Sequence, residues 1–280
     1  MLNRCKKGET LKNGKCIPDS CKVDGKNFCE HNDKPLRPII ARAGGKSQIA
    51  DKIINDAPKH RTYCEPFVGG GAVYLKKPLA EKNVINDKDK DVIVVYKSFK
   101  NGEGFIRCDM TPSKKKFDKI KNKKNKNACD VAYLNKLSFG SSGNNIGNKF
   151  IEEKKYKNKD TGTKYQNAHK EEYREKLKRT KVENKDFRKV MKENDSKETF
   201  HYLDPPYYEQ DSMYKERGVT PEEVCGTAKK MKGKVMISYN DHPEVRKSCS
   251  HMKIKKVETR YVLASNSNNK KGRELLITNY

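Results

Sequence analysis

The sequence lacks any apolar stretch long enough to cross a membrane, and its first residues do not resemble a signal peptide. We therefore expect a protein that does not contact a membrane and is intracellular, in the cytoplasm or the nucleus. Apolar residues are also scarce, at 33% of the 280 residues, whereas 36% are charged. This composition supports one lean core, either as a single large domain or as a core with an insertion.

Acidic residues are few relative to basic ones. The chain has 37 Asp and Glu against 63 Lys and Arg, for a net charge of +26. Residues 97–181 alone hold 24 basic and 10 acidic residues, which is more than half of the excess in less than a third of the chain. Proteins with such a charge usually bind polyanions, and nucleic acid is the commonest. A coding bias toward Lys and Asn is the alternative, but a bias alone does not concentrate charge in one segment.

Closely spaced cysteine pairs are missing as well. None of the nine cysteines has the Cys-x-x-Cys spacing of a zinc ribbon, so we expect no metal site. Four of them lie in residues 1–35, which contain almost no aliphatic side chains. We expect that segment to be an appendage, either disordered or a small cysteine-stapled knob. The other five are scattered and are expected to be reduced thiols: Cys64, Cys108, Cys129, Cys225 and Cys249.

The strongest motif that is present is Asp-Pro-Pro-Tyr, at residues 204–207. It follows a short apolar and aromatic run, residues 200–203, that is typical of a buried strand. The two prolines force the backbone to leave the strand in an extended conformation, and the carbonyls there have no partner in the hydrogen-bond pattern of the sheet. Asp204 and the Pro205 carbonyl can each accept one N–H of an amino group on a flat ring, and Tyr207 can stack on that ring. A capping Asp at an ordinary Pro-Pro turn is the alternative.

A second motif lies earlier, at residues 63–73, where a predicted strand leads into a glycine turn and a predicted helix. Gly69 and Gly71 would let a ligand approach the backbone where a Cβ would collide. The next predicted strand, residues 83–87, ends in Asp87, and in doubly wound folds such an acid commonly bonds ribose hydroxyls. This unit indicates an adenosine-containing cofactor, with a solvated turn Asp as the alternative.

Two glycines precede Lys46 at a predicted helix start. The full spacing of a phosphate loop is absent. Lys46 at a helix N-terminus nevertheless suits an anionic ligand group such as an α-carboxylate, and an ordinary glycine turn is the alternative. The helix that follows should bury Ile49, Ile53 and Ile54 on one face.

After the basic segment the α/β pattern returns. Asp186 and Phe187 follow a predicted third strand, where the acid can bond the exocyclic amine of a cofactor base and the ring of Phe187 can cover that base or fill the core. Residues 235–241 predict a further strand. Residues 257–263 and 274–279, joined by a polar loop, predict a closing hairpin.

Taken together, these residues resemble the D12-class, Dam-like DNA adenine-N6 methyltransferases. Five motifs stand in the family's order: Ala-Gly-Gly-Lys at 43–46, Glu-Pro-Phe-x-Gly-x-Gly at 65–71, Asn-Asp at 86–87, Asp-Pro-Pro-Tyr at 204–207 and Glu-Leu-Leu-Ile-Thr-Asn-Tyr at 274–280. The resemblance covers about residues 39–280. Residues 5–17 are similar to the short two-cysteine adaptor segments of large DNA viruses, which points to a viral protein.

The resemblance implies an α/β fold, the Rossmann-like sheet of a class I S-adenosylmethionine-dependent methyltransferase, with an inserted and mainly helical target-recognition region. The catalytic domain would comprise residues 36–96 and 182–280, and the insertion residues 97–181. The implied reaction moves a methyl group from S-adenosylmethionine to N6 of an adenine flipped out of double-stranded DNA, as in restriction-modification systems. The alternatives are an inactive relative that binds DNA and a methyltransferase for RNA or cytosine N4. The sequence does not give the oligomeric state, which could be a monomer or a weak dimer.

The motifs and the family pattern together imply three groups of site residues. The catalytic group is Asp204, Pro205, Pro206 and Tyr207. The cofactor-binding group is Arg42, Ala43, Gly44, Gly45, Lys46, Glu65, Pro66, Phe67, Gly69, Gly71, Asp87, Asp186, Phe187 and Asp204. The DNA-binding group lies in the insertion and is Lys121, Lys123, Lys124, Lys126, Asn135, Lys136, Ser138, Ser141 and Ser142.

Two positions depart from the family pattern. Arg42 stands where the family usually has an aromatic residue. Residues 139–142 are Phe-Gly-Ser-Ser, where members that read GATC share Phe-Asn-Gly-Leu. The resemblance therefore predicts no particular target sequence.

Overall fold

The computed structural model describes residues 35–42, 44–138, 143–147, 163–208, 219–260 and 271–280, together with four short strands within residues 9–27. These four form two antiparallel pairs, β1 (Glu9–Lys12) with β2 (Lys15–Pro18) and β3 (Lys22–Val23) with β4 (Lys26–Asn27). The rest of the appendage predicted for residues 1–35 lies outside the described residues, and of its cysteines only Cys16 falls within a described strand.

Beyond these two hairpins, the described residues form seven strands and nine helices. The strands are β5 (Thr62–Glu65), β6 (Lys82–Asn86), β7 (Thr180–Glu183), β8 (Thr199–Leu203), β9 (Lys234–Asn240), β10 (Lys253–Arg260) and β11 (Lys271–Thr278). The helices are α1 (Ala50–Asp56), α2 (Lys90–Lys100), α3 (Lys114–Lys121), α4 (Ala128–Leu137), α5 (Lys164–Ala168), α6 (Lys170–Lys178), α7 (Phe187–Glu193), α8 (Pro221–Lys229) and α9 (Pro243–Ser248). None of these nine helices has the length and apolarity needed to span a bilayer.

The seven strands form one sheet in the order β10-β11-β9-β8-β5-β6-β7. Strands β5 to β9 run parallel, whereas β11 pairs antiparallel with both β9 and β10. The chain winds from β5 through β6 to β7, then returns to β8 on the other side of β5 and continues to β9. The predicted doubly wound α/β sheet and its closing hairpin are therefore confirmed. The winding reverses between β5 and β8, and sheets of this kind bind ligands at the carboxyl ends of the strands at such a point.

The core lies on both faces of the sheet, because successive strand residues point to opposite sides. In β8, Tyr202 joins the apolar cluster that contains Tyr63 and Met236, whereas Leu203 joins the cluster that contains Ile237. All five residues of β8 are buried. This burial explains why a short run without polar alternation predicts the strand correctly, since parallel strands are covered on both faces.

The helix predicted after the glycine turn is wrong. Residues 72–76 form successive turns, in which Leu75 N donates to Gly71 O at 2.9 Å and Lys77 N donates to Val73 O at 2.8 Å. Pro78 follows at once, and a proline disfavours helical geometry in the residue before it. The segment therefore ends before a regular helix can form.

The region between α2 and β7 is helical in its described parts. Helix α4 begins with a capping box, in which the Asn127 side chain accepts from Asp130 N and the Asp130 side chain accepts from Asn127 N. The predicted domain boundaries fall inside two elements, because α2 continues through residue 97 to Lys100 and β7 begins at Thr180. The segment between these two elements is residues 101–179, and its assignment as an inserted recognition region stays a prediction.

Four cysteines predicted to be reduced thiols form disulfides instead. Cys108 bonds Cys129 and Cys225 bonds Cys249, with Cα–Cα distances of 5.1 and 5.3 Å. Cys64 is the one buried free thiol among the described cysteines. Whether two thiols can bond depends on Cα separation and direction in the folded chain, which linear spacing does not reveal.

Candidate active site

Asp204 follows β8 directly, and its carboxylate is held through one oxygen. Oδ1 accepts hydrogen bonds from Lys46 Nζ at 2.7 Å and from Ser238 Oγ at 2.9 Å. No residue in the described parts of the chain forms a hydrogen bond with Oδ2, and the Asp204 side chain is 21% exposed. Burial raises the pKa of Asp204, while Lys46 and Ser238 oppose that increase. Asp204 thus combines an anchored oxygen with a second oxygen that can accept an N–H.

Lys46 lies at the centre of a buried polar cluster. Its side chain is 4% exposed. Nζ donates to Gly44 O at 2.6 Å, lies 3.9 Å from Glu274 Oε1 and stands 4.6 Å from the ring centroid of Tyr207. The ammonium group that was predicted to face an anionic ligand group contacts Asp204 in this structure.

The other residues of the Asp-Pro-Pro-Tyr motif are more enclosed than expected. The Tyr207 side chain is 2% exposed, and its hydroxyl donates to Glu274 Oε1. Lys46 covers one face of its ring. Pro205 is buried and Pro206 is half-buried. The face of Tyr207 predicted to stack on a base is therefore not open in this structure.

Glu274 is a site residue that sequence reasoning quoted only as part of a motif. It lies in β11, where it is 4% exposed and opposite Asn240 of β9. Burial raises the pKa of Glu274 to about 7, although Lys46 and Tyr207 act to lower it. A lone acidic residue at the start of the apolar run Leu-Leu-Ile was the available signal, because an acid in such a strand is seldom buried without a function.

The glycine turn and Asp87 contact each other. Gly69 and Gly71 have φ angles of 48° and 79°, and a Cβ on Gly71 would collide with the Tyr96 hydroxyl. A Cβ on Gly69 would meet no described atom, so space lies in front of that residue. Asp87 Oδ2 accepts from Gly69 N at 2.9 Å, and Oδ1 accepts from Asp89 N at 2.9 Å. Burial raises the pKa of Asp87 to about 6.

Gly70 is a required glycine that sequence reasoning missed. A Cβ at this position would collide with the carbonyl oxygen of Ile40, which passes close to the turn. The Gly70 carbonyl in turn accepts from Ile39 N at 3.1 Å. The turn is thereby tied to the segment that leads into Lys46.

The residues that end β5 are fixed by their neighbours. Glu65 is 2% exposed and accepts from the Tyr63 hydroxyl at 2.6 Å. Burial raises the pKa of Glu65 to about 8, so its carboxyl group is mostly neutral at pH 7. The Pro66 carbonyl accepts from Asn86 Nδ2 at 2.9 Å, which joins the ends of β5 and β6. Phe67 packs on Phe187 with ring centroids 5.0 Å apart.

Two predicted cofactor ligands have partners within the protein. The Arg42 guanidinium pairs with Asp89 at 2.6 Å. Asp186 caps α7 by accepting from Arg188 N at 2.9 Å, and it also binds the Arg188 guanidinium, which holds the pKa of Asp186 below its usual value. Gly45 N donates to Arg42 O at 3.1 Å, and Ala43 lies outside the described residues.

The lysines predicted to bind DNA surround the end of α3 and the start of α4. Lys121 and Lys124 are exposed. Lys123 pairs with Asp130 at 2.5 Å, and Lys126 Nζ donates to Lys123 O at 2.9 Å. Lys121 and Lys124 therefore present ammonium groups to which no acid of the described segments is bonded.

Two polar residues near the end of α4 contact other parts of the protein. Asn135 Oδ1 accepts from Ala41 N at 3.1 Å, and its Nδ2 donates to Ala41 O at 2.6 Å. Ser138 is buried and accepts from Gly143 N at 2.9 Å, and Lys136 is half-buried. Asn135 thus connects the insertion to the segment before Lys46. The predicted Ser141 and Ser142 lie outside the described residues.

Comparison with known proteins agrees with this geometry. Residues 43–263 match the family model described as D12 class N6 adenine-specific DNA methyltransferase. The chain is 30% identical over 204 residues to the type II methyltransferase M.MjaIII of Methanocaldococcus jannaschii, which covers 61% of this chain and 69% of the relative. It is 28% identical over 284 residues to the type II methyltransferase M1.LlaDCHI of Lactococcus lactis subsp. cremoris, which covers 91% and 99%.

A viral relative is also similar to this chain. The type II methyltransferase M.CviBI of Paramecium bursaria Chlorella virus NC1A is 26% identical over 195 residues, which covers 65% of this chain and 72% of the relative. The family match spans the glycine turn, Asp87 and Asp204, and the seven-stranded sheet is that of a Rossmann-like methyltransferase. The resemblance carried by the five motifs is confirmed: the chain belongs to the D12-class N6 adenine-specific DNA methyltransferases.

Proposed function

We propose that the protein transfers a methyl group from S-adenosylmethionine to N6 of an adenine flipped out of duplex DNA, with Asp204 as the acceptor that holds the amino group. The observation that carries the proposal is the half-anchored carboxylate of Asp204. Lys46 and Ser238 hold Oδ1, while Oδ2 has no partner among the described residues and the side chain is partly exposed. An N–H donor can therefore bind without displacing an existing contact.

The amino group of adenine needs this help because its lone pair is delocalised into the ring. Asp204 Oδ2 accepts a hydrogen bond from one amino N–H, and the Pro205 carbonyl accepts a hydrogen bond from the other. Two fixed acceptors favour the geometry in which the lone pair points away from them, and they stabilise the positive charge that develops on nitrogen. Burial raises the pKa of Asp204, and the Lys46 ammonium group opposes that increase, which favours the ionised carboxylate.

The residues at the reversal between β5 and β8 fit S-adenosylmethionine. Space lies in front of Gly69, where a Cβ would meet no described atom. Asp87 is held in a fixed orientation by Gly69 N and Asp89 N, and we propose that it bonds the ribose. Phe67 and Phe187 form an aromatic wall beside the same loops. When bound, S-adenosylmethionine supplies a methyl group that its sulfonium has already made electrophilic.

Tyr207 and the insertion have proposed roles in handling DNA. We assign to Tyr207 the stacking of the flipped base. Lys46 lies over one face of the ring and the side chain is 2% exposed, so stacking requires the residues packed on the other face to move first. The insertion contributes the exposed lysines around α3 and α4, whose charge suits the phosphate backbone. Asn135 fixes α4 to Ala41, so DNA bound by the insertion is held against the segment that carries Lys46.

A direct assay tests the proposed reaction. Duplex DNA, single-stranded DNA and RNA are each incubated with the protein and isotope-labelled S-adenosylmethionine, and the nucleosides are resolved by mass spectrometry. We expect labelled N6-methyladenine from duplex DNA. Label in cytosine, label only in RNA, or no label in any sample would contradict the proposal.

The Asp204→Ala variant tests the assigned acceptor. Losing one preorganised acceptor should raise the barrier to methyl transfer by about 3 kcal/mol. Asp241→Ala is the matched control, because Asp241 follows the adjacent strand β9 and pairs with Arg246 at 2.6 Å. Turnover near the wild-type value in Asp204→Ala would remove Asp204 from the mechanism.

A further inference from the structure

Two buried oxygens lack hydrogen-bond partners at one cross-strand position beside Asp204. Glu274 of β11 and Asn240 of β9 stand directly opposite each other, so their side chains project from the same face of the sheet. Within the described parts of the chain, Glu274 Oε2 and Asn240 Oδ1 are both buried and neither has a partner. Buried polar atoms are nearly always bonded. Two adjacent exceptions therefore indicate a polar ligand that the protein alone does not supply.

The carboxyl group of Glu274 is fixed through its other oxygen. Oε1 accepts from the Tyr207 hydroxyl and lies 3.9 Å from Lys46 Nζ. The same ammonium group binds Asp204 at 2.7 Å. Lys46 thus bridges Glu274 and the carboxylate proposed to hold the adenine amino group, so a base bound to Asp204 lies beside Glu274.

The surroundings favour a proton on Oε2. Among the described residues, the charged and titratable groups that face Glu274 are Lys46 from the segment before α1, Tyr202 of β8, and Asp204 and Tyr207 from the segment after β8. Its partner on β9, Asn240, is neutral. Burial raises the pKa of Glu274 to about 7, Lys46 and Tyr207 lower it, and Asp204 raises it. Because Oε1 accepts from Tyr207, Oε2 is the oxygen that carries the proton of the neutral acid.

We infer that Glu274 is a further substrate-binding residue, which donates a hydrogen bond from protonated Oε2 to ring nitrogen N1 of the target adenine. The inference rests on the proposed function, since N1 neighbours the amino group that Asp204 would hold. N1 of adenine is an acceptor and requires a donor, which an ionised carboxylate is not. Guanine and hypoxanthine carry a proton on N1 and would leave the buried Oε2–H facing another donor, so Glu274 would also exclude them.

The contact can be tested by changing both of its partners. Duplexes carry adenine, 1-deazaadenine or 7-deazaadenine at the methylated position, and single-turnover rates are measured for the wild type, Glu274→Leu and Glu274→Gln. The wild type should lose about tenfold in rate with 1-deazaadenine, the equivalent of one net hydrogen bond, and little with 7-deazaadenine, which keeps N1. Glu274→Leu should lose about tenfold on adenine and nothing further on 1-deazaadenine.

Glu274→Gln keeps the test valid if the leucine variant folds poorly. Its amide can still accept from Tyr207 and donate to N1, so its rate on adenine should stay near that of the wild type. The wild-type rate should fall as pH rises through about 7, where Glu274 loses its proton. Glutamine does not titrate, so its rate should show no such fall.

Three results would overturn the inference. One is the full 1-deazaadenine penalty in Glu274→Leu, another is the same alkaline fall in Glu274→Gln, and the third is a loss of S-adenosylmethionine affinity by calorimetry that accounts for the reduced rate. These outcomes differ from a failure of the proposed function, in which the wild type forms no N6-methyladenine on any duplex.

Discussion

Replacing Lys46 with methionine isolates the effect of the buried ion pair, because methionine has a similar length and no charge. Lys46 is 4% exposed and Asp204 is 21% exposed, with 2.7 Å between Nζ and Oδ1. Removing one partner of a buried pair costs about 3–5 kcal/mol, because the other charge is left without compensation. Since Asp204 is partly exposed, we expect the low end of that range, about 3 kcal/mol in the free energy of unfolding at neutral pH.

The loss should depend on pH in a defined direction. Burial already raises the pKa of Asp204 and Lys46 opposes that increase, so removing Lys46 raises the pKa further. The Asp204 carboxyl of the variant then protonates at a pH where that of the wild type is ionised. Because Lys46 lowers the pKa of Glu274 as well, the whole pH range of methyl transfer should lie higher in Lys46→Met than in the wild type. The stability difference from the wild type should shrink in acid, where Asp204 is neutral in both proteins.

Chemical denaturation and single-turnover methylation, each across a pH series, measure the two effects. Lys52→Met is the matched control, since it makes the same substitution in helix α1. Lys52 pairs with Asp56 at 2.8 Å, but both side chains are 36% exposed. Exposed pairs contribute about 0–1 kcal/mol, so this variant should keep wild-type activity and nearly wild-type stability.

Two results would refute the assigned role of Lys46. A Lys46→Met protein with the stability of the Lys52→Met control would show that the pair is not effectively buried. An activity that is reduced by the same factor at every pH, with no upward shift of its pH range, would show that Lys46 acts on substrate or cofactor directly and does not act through Asp204.

Three further predictions concern ligand binding. Asp87→Ala should weaken S-adenosylmethionine binding by about 1.5–3 kcal/mol in calorimetry. The carboxylate accepts a hydrogen bond from Gly69 N and is proposed to bond the ribose, and the variant loses both interactions. Asn135→Ala should lower the free energy of unfolding by about 1–3 kcal/mol, from two hydrogen bonds to Ala41. The third variant neutralises the lysines around α3 and α4, namely Lys121, Lys123, Lys124 and Lys126. The slope of log K against log salt, measured by fluorescence anisotropy, should fall by about 0.9 for each phosphate group that the protein no longer binds.

Each of these has a control and a contrary outcome. Asp56→Ala, at the end of α1, should leave cofactor affinity unchanged, and an equal affinity in Asp87→Ala would remove that residue from the site. An Asn135→Ala protein of wild-type stability but altered site preference would make Asn135 a base contact. The control for the lysine set is four exposed lysines at or just before the amino end of β9, namely Lys229, Lys230, Lys232 and Lys234. An equal change of slope in both sets would show that the effect comes from net charge alone.

The sequence by itself determined the sheet. Strands β5, β6, β8 and β9 each contain a short apolar or aromatic stretch, and nearly all of their residues are buried. Parallel strands are covered on both faces, so these four are predictable from the local pattern. The glycine turn, Asp87 and Asp204 each follow one of these strands directly. Because parallel strands place their carboxyl ends at the same edge, the residues that follow them must meet there. The order of motifs along the chain was therefore sufficient to predict the family, and it predicts that the site lies at that edge.

Only the tertiary structure decided which side chains contact one another. Lys46 bonds Asp204 and approaches Glu274 across most of the chain, and Asn135 bonds Ala41 over a separation of 94 residues. The disulfide between Cys225 and Cys249 likewise depends on how α8 and α9 pack. Contacts of this kind depend on how separate elements dock, whereas sequence patterns report local conformation and burial. For the same reason the pKa of a carboxyl group such as Glu274, which packing and neighbouring charges set, has no signature in the sequence.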